Sequence, residues 1–280
     1  MATRALVVGG TNGIGYAIAC RLAADHPDST VIISGRTEPK NIPHPNIQFR
    51  RLDASSMKAI SGYAEQFKSV REEWDMLVLS QGILTTAGRA ETAEGIDNKM
   101  ALHFYGRQLL IRELTPALKR DGKVLVVLDG ERGDPAKLIW DDLDLKTHFS
   151  IANAAAHCIS MTDAMVQRYA AQQKELGTQR HFVHALPGFV NTNIAANLPW
   201  YLKTPTRVLS SVLATTPEAC AEHMLKGTYD CAAAGARDGK LWSCINAKGQ
   251  VVQNKPKWTQ DQLDKVEAHT WKIVDGALAA

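Results

Sequence analysis

The sequence predicts a doubly wound α/β fold, a parallel sheet of about seven strands in a single domain. Three observations predict it. Short β-branched runs alternate with longer amphipathic stretches, the runs are apolar almost without interruption, and a glycine-rich turn joins the first run to the first amphipathic stretch. Unbroken apolar strands belong to a parallel sheet covered by helices on both faces. Alternation of β and α is the connectivity that builds such a sheet.

The elements follow in order. Residues 5–8, 30–34, 47–52, 76–79, 123–128, 181–185 and 241–245 read as strands from their apolar, β-branched content and their length. Helical patterns fill the intervals at 13–24, 56–71, 93–119, 150–176 and 217–229. A tail helix at 259–279 carries apolar residues at Leu263, Val266, Trp271, Val274 and Leu278. Pro and Gly fall between elements, and no repeat or low-complexity linker divides the chain, so residues 1–280 are expected to form one domain. Two segments leave the carboxyl edge of the sheet, where doubly wound folds bind ligands. They are the charged stretch 129–146 and the stretch 191–216, with Pro199, Trp200 and Tyr201. Both are candidate walls of a substrate pocket; the other reading is a surface loop and an oligomer contact.

At 280 residues, 45% of them hydrophobic and 22% charged, the chain is long enough to bury a sizeable core. A net charge of +3 without a dense basic run argues against nucleic acid and anionic membranes as partners. No apolar run approaches the ~20 residues that span a bilayer. Met1 to Arg4 run straight into the first strand without a cleavage region, which predicts a cytoplasmic location. Cys20, Cys158, Cys220, Cys231 and Cys244 are scattered and form no CxxC, as reduced buried thiols do. No His, Cys or Asp set has metal-ligand spacing, so no metal is expected.

The most specific motif is Gly9-Gly10-Thr11-Asn12-Gly13-Ile14-Gly15, placed between the first strand and the first helix. Glycines allow a tight turn and close backbone approach, and the helix N-terminus offers unpaired N–H groups and a positive dipole end to a diphosphate. The motif predicts a dinucleotide site. The second strand ends at Ser34-Gly35-Arg36-Thr37. A carboxylate there would hold a ribose 2′-hydroxyl; Arg36 instead suits a 2′-phosphate, so NADP(H) is expected over NAD(H). Asp53, after the third strand, either meets an adenine amino group or caps the helix near Ser55 and Ser56.

The glycine spacing resembles the TGxxxGxG turn of the short-chain dehydrogenase/reductase superfamily, with Val8 in place of the Thr. The resemblance covers almost the whole chain. Leu79-Ser80-Gln81-Gly82 stands where that family has Asn-Asn-Ala-Gly, and only Gly82 is kept. Pro187-Gly188-Phe189-Val190-Asn191-Thr192 matches its Pro-Gly-x-x-x-Thr. The match implies cofactor contacts at Ser80, Gln81, Gly82, Pro187, Gly188, Val190 and Thr192, with Val190 and Thr192 at the nicotinamide end. His103-Phe104-Tyr105 together with these turns looks most similar to fungal members. The helices at 93–119 and 150–176 resemble the family's paired dimer helices, which implies a homodimer or homotetramer.

The family's reductases use a Ser, a Tyr-x-x-x-Lys pair and a supporting Asn. Hydride delivery to a carbonyl builds charge on oxygen; the Tyr donates a proton, and the Lys lowers its pKa and holds the ribose. By alignment, Phe149 replaces the Tyr, Asn153 the Lys, Asp129 the Ser and His103 the Asn. No other Tyr is followed four residues later by Lys: Tyr63 precedes Phe67, Tyr105 precedes Leu109 and Tyr169 precedes Gln173. Loss of a positioned acid typically costs ~10²–10⁴ in rate, so ordinary ketone reduction by the family's route is not expected.

Three readings remain for the small-molecule substrate. The first is non-redox chemistry, a cyclisation or isomerisation of a natural-product intermediate, with Asp129 as base or cation stabiliser and His103 as a second acid/base group. The second is NADPH-dependent reduction of an iminium or conjugated alkene, which needs no Tyr. The third is a nucleotide-binding scaffold without catalysis. Each residue also has a structural reading: Asp129 as a loop cap paired with Arg132, His103 as a satisfied helix histidine, Asn153 as a neutral ribose contact and Phe149 as pocket wall.

Overall fold

The computed structural model describes residues 3–68, 73–192 and 214–280. Its seven-stranded sheet runs in the order β3-β2-β1-β4-β5-β6-β7, with every neighbouring pair parallel. The strands are β1 (Arg4–Val8), β2 (Thr30–Gly35), β3 (Ile47–Arg51), β4 (Trp74–Leu79), β5 (Leu118–Val127), β6 (His181–Ala185) and β7 (Trp242–Ile245). Chain order reverses between β1 and β4, so a crevice opens beyond the carboxyl ends of those strands.

Alternation along the strands divides the core into two layers. Leu6, Val8, Ile32 and Val126 face one side, and Ala5, Val7, Ile33 and Leu125 face the other. The second side is covered by α1 (Gly13–Asp25) and, beside it, α6 (Pro217–Asp238), which contribute Ile18, Leu22, Ala221 and Met224. The first side is covered by α2 (Met57–Lys68), a helical run from α3 (Asn98–Met100) through α4 (Gly106–Leu114), and α5 (Ile151–Glu175). The last helix, α7 (Gln260–Ala279), lies against α5, α2 and the start of that run, burying Val266, Thr270 and Val274.

Local chemistry fixes the ends. Asn12 caps α1, its side-chain oxygen accepting from Gly13 N at 2.7 Å. Ser150 caps α5, and Thr259 and Gln262 form a capping box on α7. The helix predicted at 93–119 starts later, at Asn98, because the Asp97 carboxylate accepts from Lys99 N and Met100 N. It widens into a π turn at Ala101–Tyr105 and ends at Ala117, after Pro116. Leu118 and Lys119 belong to β5, which begins five residues earlier than predicted because Leu118 pairs with Trp74 across a register shift. The helix predicted at 217–229 runs on to Asp238 and stops at Gly239, whose φ of +68° suits a residue without Cβ.

The stretch 129–146 folds onto the body. Asp134 caps a single turn at Pro135–Lys137, and the Asp142 carboxylate collects the N–H groups of Lys146, Thr147 and His148. Of the stretch 191–216, residues 193–213, including Pro199, Trp200 and Tyr201, lie outside the described residues. Among the described residues no helix is long and apolar enough to cross a membrane.

Candidate functional site

A groove of about 300 Å³ lies across the carboxyl ends of β1, β2 and β4. The glycine-rich turn forms its floor: Gly9, Thr11, Asn12, Gly13, Ile14 and Gly15 all line it, at the N-terminus of α1. Close packing explains the glycines. A Cβ on Gly9, whose φ is +82°, would lie 2.4 Å from Gln81 N, and one on Gly15 would lie 2.1 Å from Ser80 Oγ. The turn is pressed onto the end of β4, which leaves the helix N-terminus open to an anion in the groove.

Gly35, Arg36 and Asp53 line the far end, beside Leu52 and Ala54. Arg36 is exposed there. Asp53 Oδ1 accepts from Ser55 N at 3.0 Å and from Ser55 Oγ at 2.6 Å, so the carboxylate closes a short turn while bordering the groove. It does not cap α2. Glu94 does, accepting from Ser56 Oγ, Met57 N and Lys58 N. At the other end the groove is lined by Ser80, Gln81, Gly82 and Thr192. Leu102, opposite them, was not anticipated. Pro187, Gly188 and Val190 stand outside the lining: Pro187 O accepts from the Cys220 thiol, and Val190 pairs with Thr215.

The groove satisfies what a dinucleotide requires of a protein. It has a glycine cradle that any Cβ would fill, a thirteen-residue helix aimed into it by its N-terminus, and a cation at the expected ribose end. Thr11, Asn12, Gly13 and Ile14 line its middle at the mouth of α1, Arg36 one end, and Ser80 to Gly82 with Thr192 the other.

The four expected catalytic residues are not gathered in the groove. Asp129 is 2% exposed and closes its own loop, accepting from Glu131 N at 3.2 Å, Arg132 N at 3.1 Å and Arg132 Nε at 2.5 Å. Asn153 Nδ2 donates to His148 O at 2.8 Å, which ties the start of α5 to the preceding loop. Phe149 lies under the Lys99 ammonium, 5.0 Å from its ring centroid. His103 bonds the Ile83 backbone through Nε2, and burial together with the Arg107 charge pushes its pKa down to about 4, so the ring is neutral at physiological pH. Its Nδ1 is buried and meets no hydrogen-bond partner among the described residues. Asp129 thus matches the loop-cap reading, while Asn153 and Phe149 stand outside the groove lining.

Two features escaped the sequence reading. Arg107, 1% exposed, lies directly behind the groove residues Gln81 and Leu102: Nη1 donates to Val127 O at 2.8 Å, Nη2 to Gln81 O and Nε to Leu102 O at 3.3 Å. Its place in the apolar row Phe104, Arg107, Ile111, Leu114 was the available signal. The second feature is a buried set behind β5, in which ligand-type atoms of Asp163, His184 and Cys244 lie within 4.8 Å of one another. These atoms have protein partners. Asp129 N donates to His184 Nε2, which leaves the proton on Nδ1 to reach Asp163 Oδ1 at 2.5 Å; the Cys244 thiol meets the same oxygen, and Lys255 pairs with Oδ2. The set holds the 129–134 turn from behind, with Lys255 also bonding Glu131 O and Gly133 O.

Comparison with known proteins places this architecture. Residues 3–129 match the short chain dehydrogenase family profile. An oxidoreductase of Emericella nidulans is 32% identical over 203 residues, 69% of this chain and 60% of the relative; an oxidoreductase of Emericella variicolor is 28% identical over 72% of this chain and 64% of its own. The matches thus span less than two thirds of the length of these relatives. A short-chain dehydrogenase/reductase structure from Burkholderia multivorans, solved with bound NADP, superposes with a TM-score of 0.60 at 16% identity, covering 91% of this chain and all of that one.

Proposed function

Because the chain belongs to the short-chain dehydrogenase/reductase superfamily, we propose that it binds NADP(H) in this groove and reduces a polarised double bond without a protein proton donor. The observation that carries the reading is the contrast within one site. The nucleotide half is built for a dinucleotide, while Phe149, Asn153, Asp129 and His103 offer no free acid where the family keeps its tyrosine. A bound NADPH would supply hydride. Thr11 to Ile14 would grip its diphosphate, Arg36 would pair with the 2′-phosphate, and Ser80 to Gly82 with Thr192 would orient the reactive ring.

Without a positioned acid, a substrate that becomes an alkoxide on reduction is poorly served. A conjugated alkene or an iminium avoids that demand. The non-redox reading needed Asp129 as a free acid/base group, and its engagement within its own turn speaks against that reading. The test is nicotinamide absorbance in the presence of simple ketones, enones and cyclic imines. Consumption of NADPH with an enone or imine but not with a ketone is expected. Product formation without cofactor consumption, or equal turnover of ketones, would contradict the proposal.

A further inference from the structure

Arg107 is the largest fully buried side chain among the described residues. It sits where β4 and β5 end, joining Gln81 O after one strand to Val127 O in the other, and it also reaches Leu102 O. Gln81 and Leu102 both line the groove. The guanidinium is therefore one residue removed from the place where a ligand would lie.

The other buried charges of this region have counter-ions. Asp163 has Lys255, Asp129 has Arg132, and Asp97 has Lys99 at 3.6 Å. Among the described residues no carboxylate pairs with Arg107; its partners are three backbone carbonyls. Burial pulls its pKa down to about 10, still far above neutrality, so the group remains charged. The neighbouring His103 is neutral, and burial pushes the nearby Cys158 thiol up to about 12, so neither offsets it. An unpaired charge in a low-dielectric interior projects its potential over several ångströms. The wall behind Gln81 and Leu102 is thus positive.

That sign separates the two substrate classes left open above. Resting on the NADP(H) reading, we propose that Arg107 is a positioning charge that selects a carbon–carbon double bond conjugated to a carbonyl, the Arg–carbonyl junction at the ends of β4 and β5 favouring the enolate formed on reduction. In this step the alkene β-carbon accepts a hydride from the reduced nicotinamide. The alkene π pair shifts to join the α-carbon and the carbonyl carbon as the carbonyl π pair moves onto oxygen, giving an enolate. Water then protonates the α-carbon and leaves as hydroxide to solvent, and the nicotinamide is left oxidised. An iminium brings a positive charge to a positive wall and is disfavoured. The selectivity needs no contact between Arg107 and the substrate.

A binding measurement and a turnover measurement test this together. NADPH affinity by titration calorimetry comes first, on the full chain. Para-nitrophenol, an enolate-like acid whose ionisation is visible in its absorbance, is then titrated against pH in the presence of saturating NADP⁺. The bound phenol should ionise about one pH unit lower than the free one, a change on the scale of a single nearby charge. Arg107→Met should abolish the shift, and Arg107→Lys should retain part of it. Should the methionine variant fail to fold, Arg107→Gln against Arg107→Lys gives the same comparison. Cyclohexenone should consume NADPH at least about ten times faster than a cyclic imine does. Failure to bind NADPH overturns the inference and the reading beneath it. NADPH binding with no ionisation shift, with a shift that survives loss of the charge, or with equal or faster imine turnover, overturns the inference alone.

Discussion

Arg132 Nε lies 2.5 Å from the Asp129 carboxylate, so the one acid at the end of β5 is paired within its own turn. The carboxylate is buried while the arginine is mostly exposed, and two backbone N–H groups complete its shell. The chemistry of this residue is that of a loop cap. Asp129→Ala should lower stability by about 1–3 kcal/mol in urea unfolding, the cost of leaving buried donors unmet. NADPH affinity should stay within about threefold of wild type. A variant that folds as well as wild type but loses turnover would return Asp129 to a catalytic role.

The contact between Gly15 and Ser80 makes a second prediction. A methyl on Gly15 meets Ser80 Oγ at 2.1 Å and Gly9 O at 2.5 Å, and the backbone oxygen cannot rotate away. Gly15→Ala should therefore push the turn off β4 and weaken NADPH by about tenfold or more. Gly62→Ala, where a Cβ meets nothing within 4 Å, serves as the control. Equal affinities for the two variants would show that the cradle does not depend on this packing.

Cofactor choice rests on Arg36. Arg36→Asp should weaken NADPH by about 10–100-fold, the scale of a lost charged hydrogen bond, and NADH far less. Competition binding of the two cofactors reads this directly, and equal losses would remove the basis for preferring the phosphorylated form.

The C-terminal helix bears on oligomeric state. Glu267 on α7 takes Arg168 and Gln172 of α5, Asp275 takes Arg112 of α4, and His269 Nε2 lies 2.9 Å from the Tyr105 hydroxyl. The α4 and α5 face expected to pair with a second copy is thus covered by the chain's own helix. Sedimentation velocity should give the 30.6 kDa monomer. A dimer whose formation protects α4 and α5 from hydrogen exchange would contradict this account.

Acid sensitivity follows from Asp163. Burial alone would raise its pKa, but the His184 hydrogen bond and the Lys255 charge outweigh burial and hold it below the usual carboxylate range. A depressed folded value means that its stabilisation is fully present above the ordinary carboxylate range and is lost as pH falls through the folded value. Asp163→Asn should flatten that acid limb, and at neutral pH it should cost about 3–5 kcal/mol by leaving Lys255 unpaired. An unchanged pH profile of urea midpoints would count against it.

Much of this was legible in residue patterns. Apolar runs located the strands most plainly at β1, β2, β4 and β6, where nearly every residue is buried, and the glycine motif located the groove because its chemistry is local. The start of β5 was not legible, since Lys119, Arg120 and Asp121 carry no strand signal and the strand reaches back to Leu118 only through its pairing with Trp74 across a register shift. The Asp129–Arg132 pair, three residues apart in one turn, was legible as a loop cap, whereas the His148 O partner of Asn153 and the Ile83 partner of His103 depend on loop paths that no spacing rule encodes. Arg107 was not singled out, although its position in the row Phe104, Arg107, Ile111, Leu114 marks a buried face.

Titration calorimetry of NADPH into the purified full chain tests the central claim most directly. Saturable one-to-one binding in the micromolar range, tighter than for NADH, is the predicted result, about 8 kcal/mol of affinity. A folded protein that takes up neither cofactor would mean that the glycine turn is architecture alone.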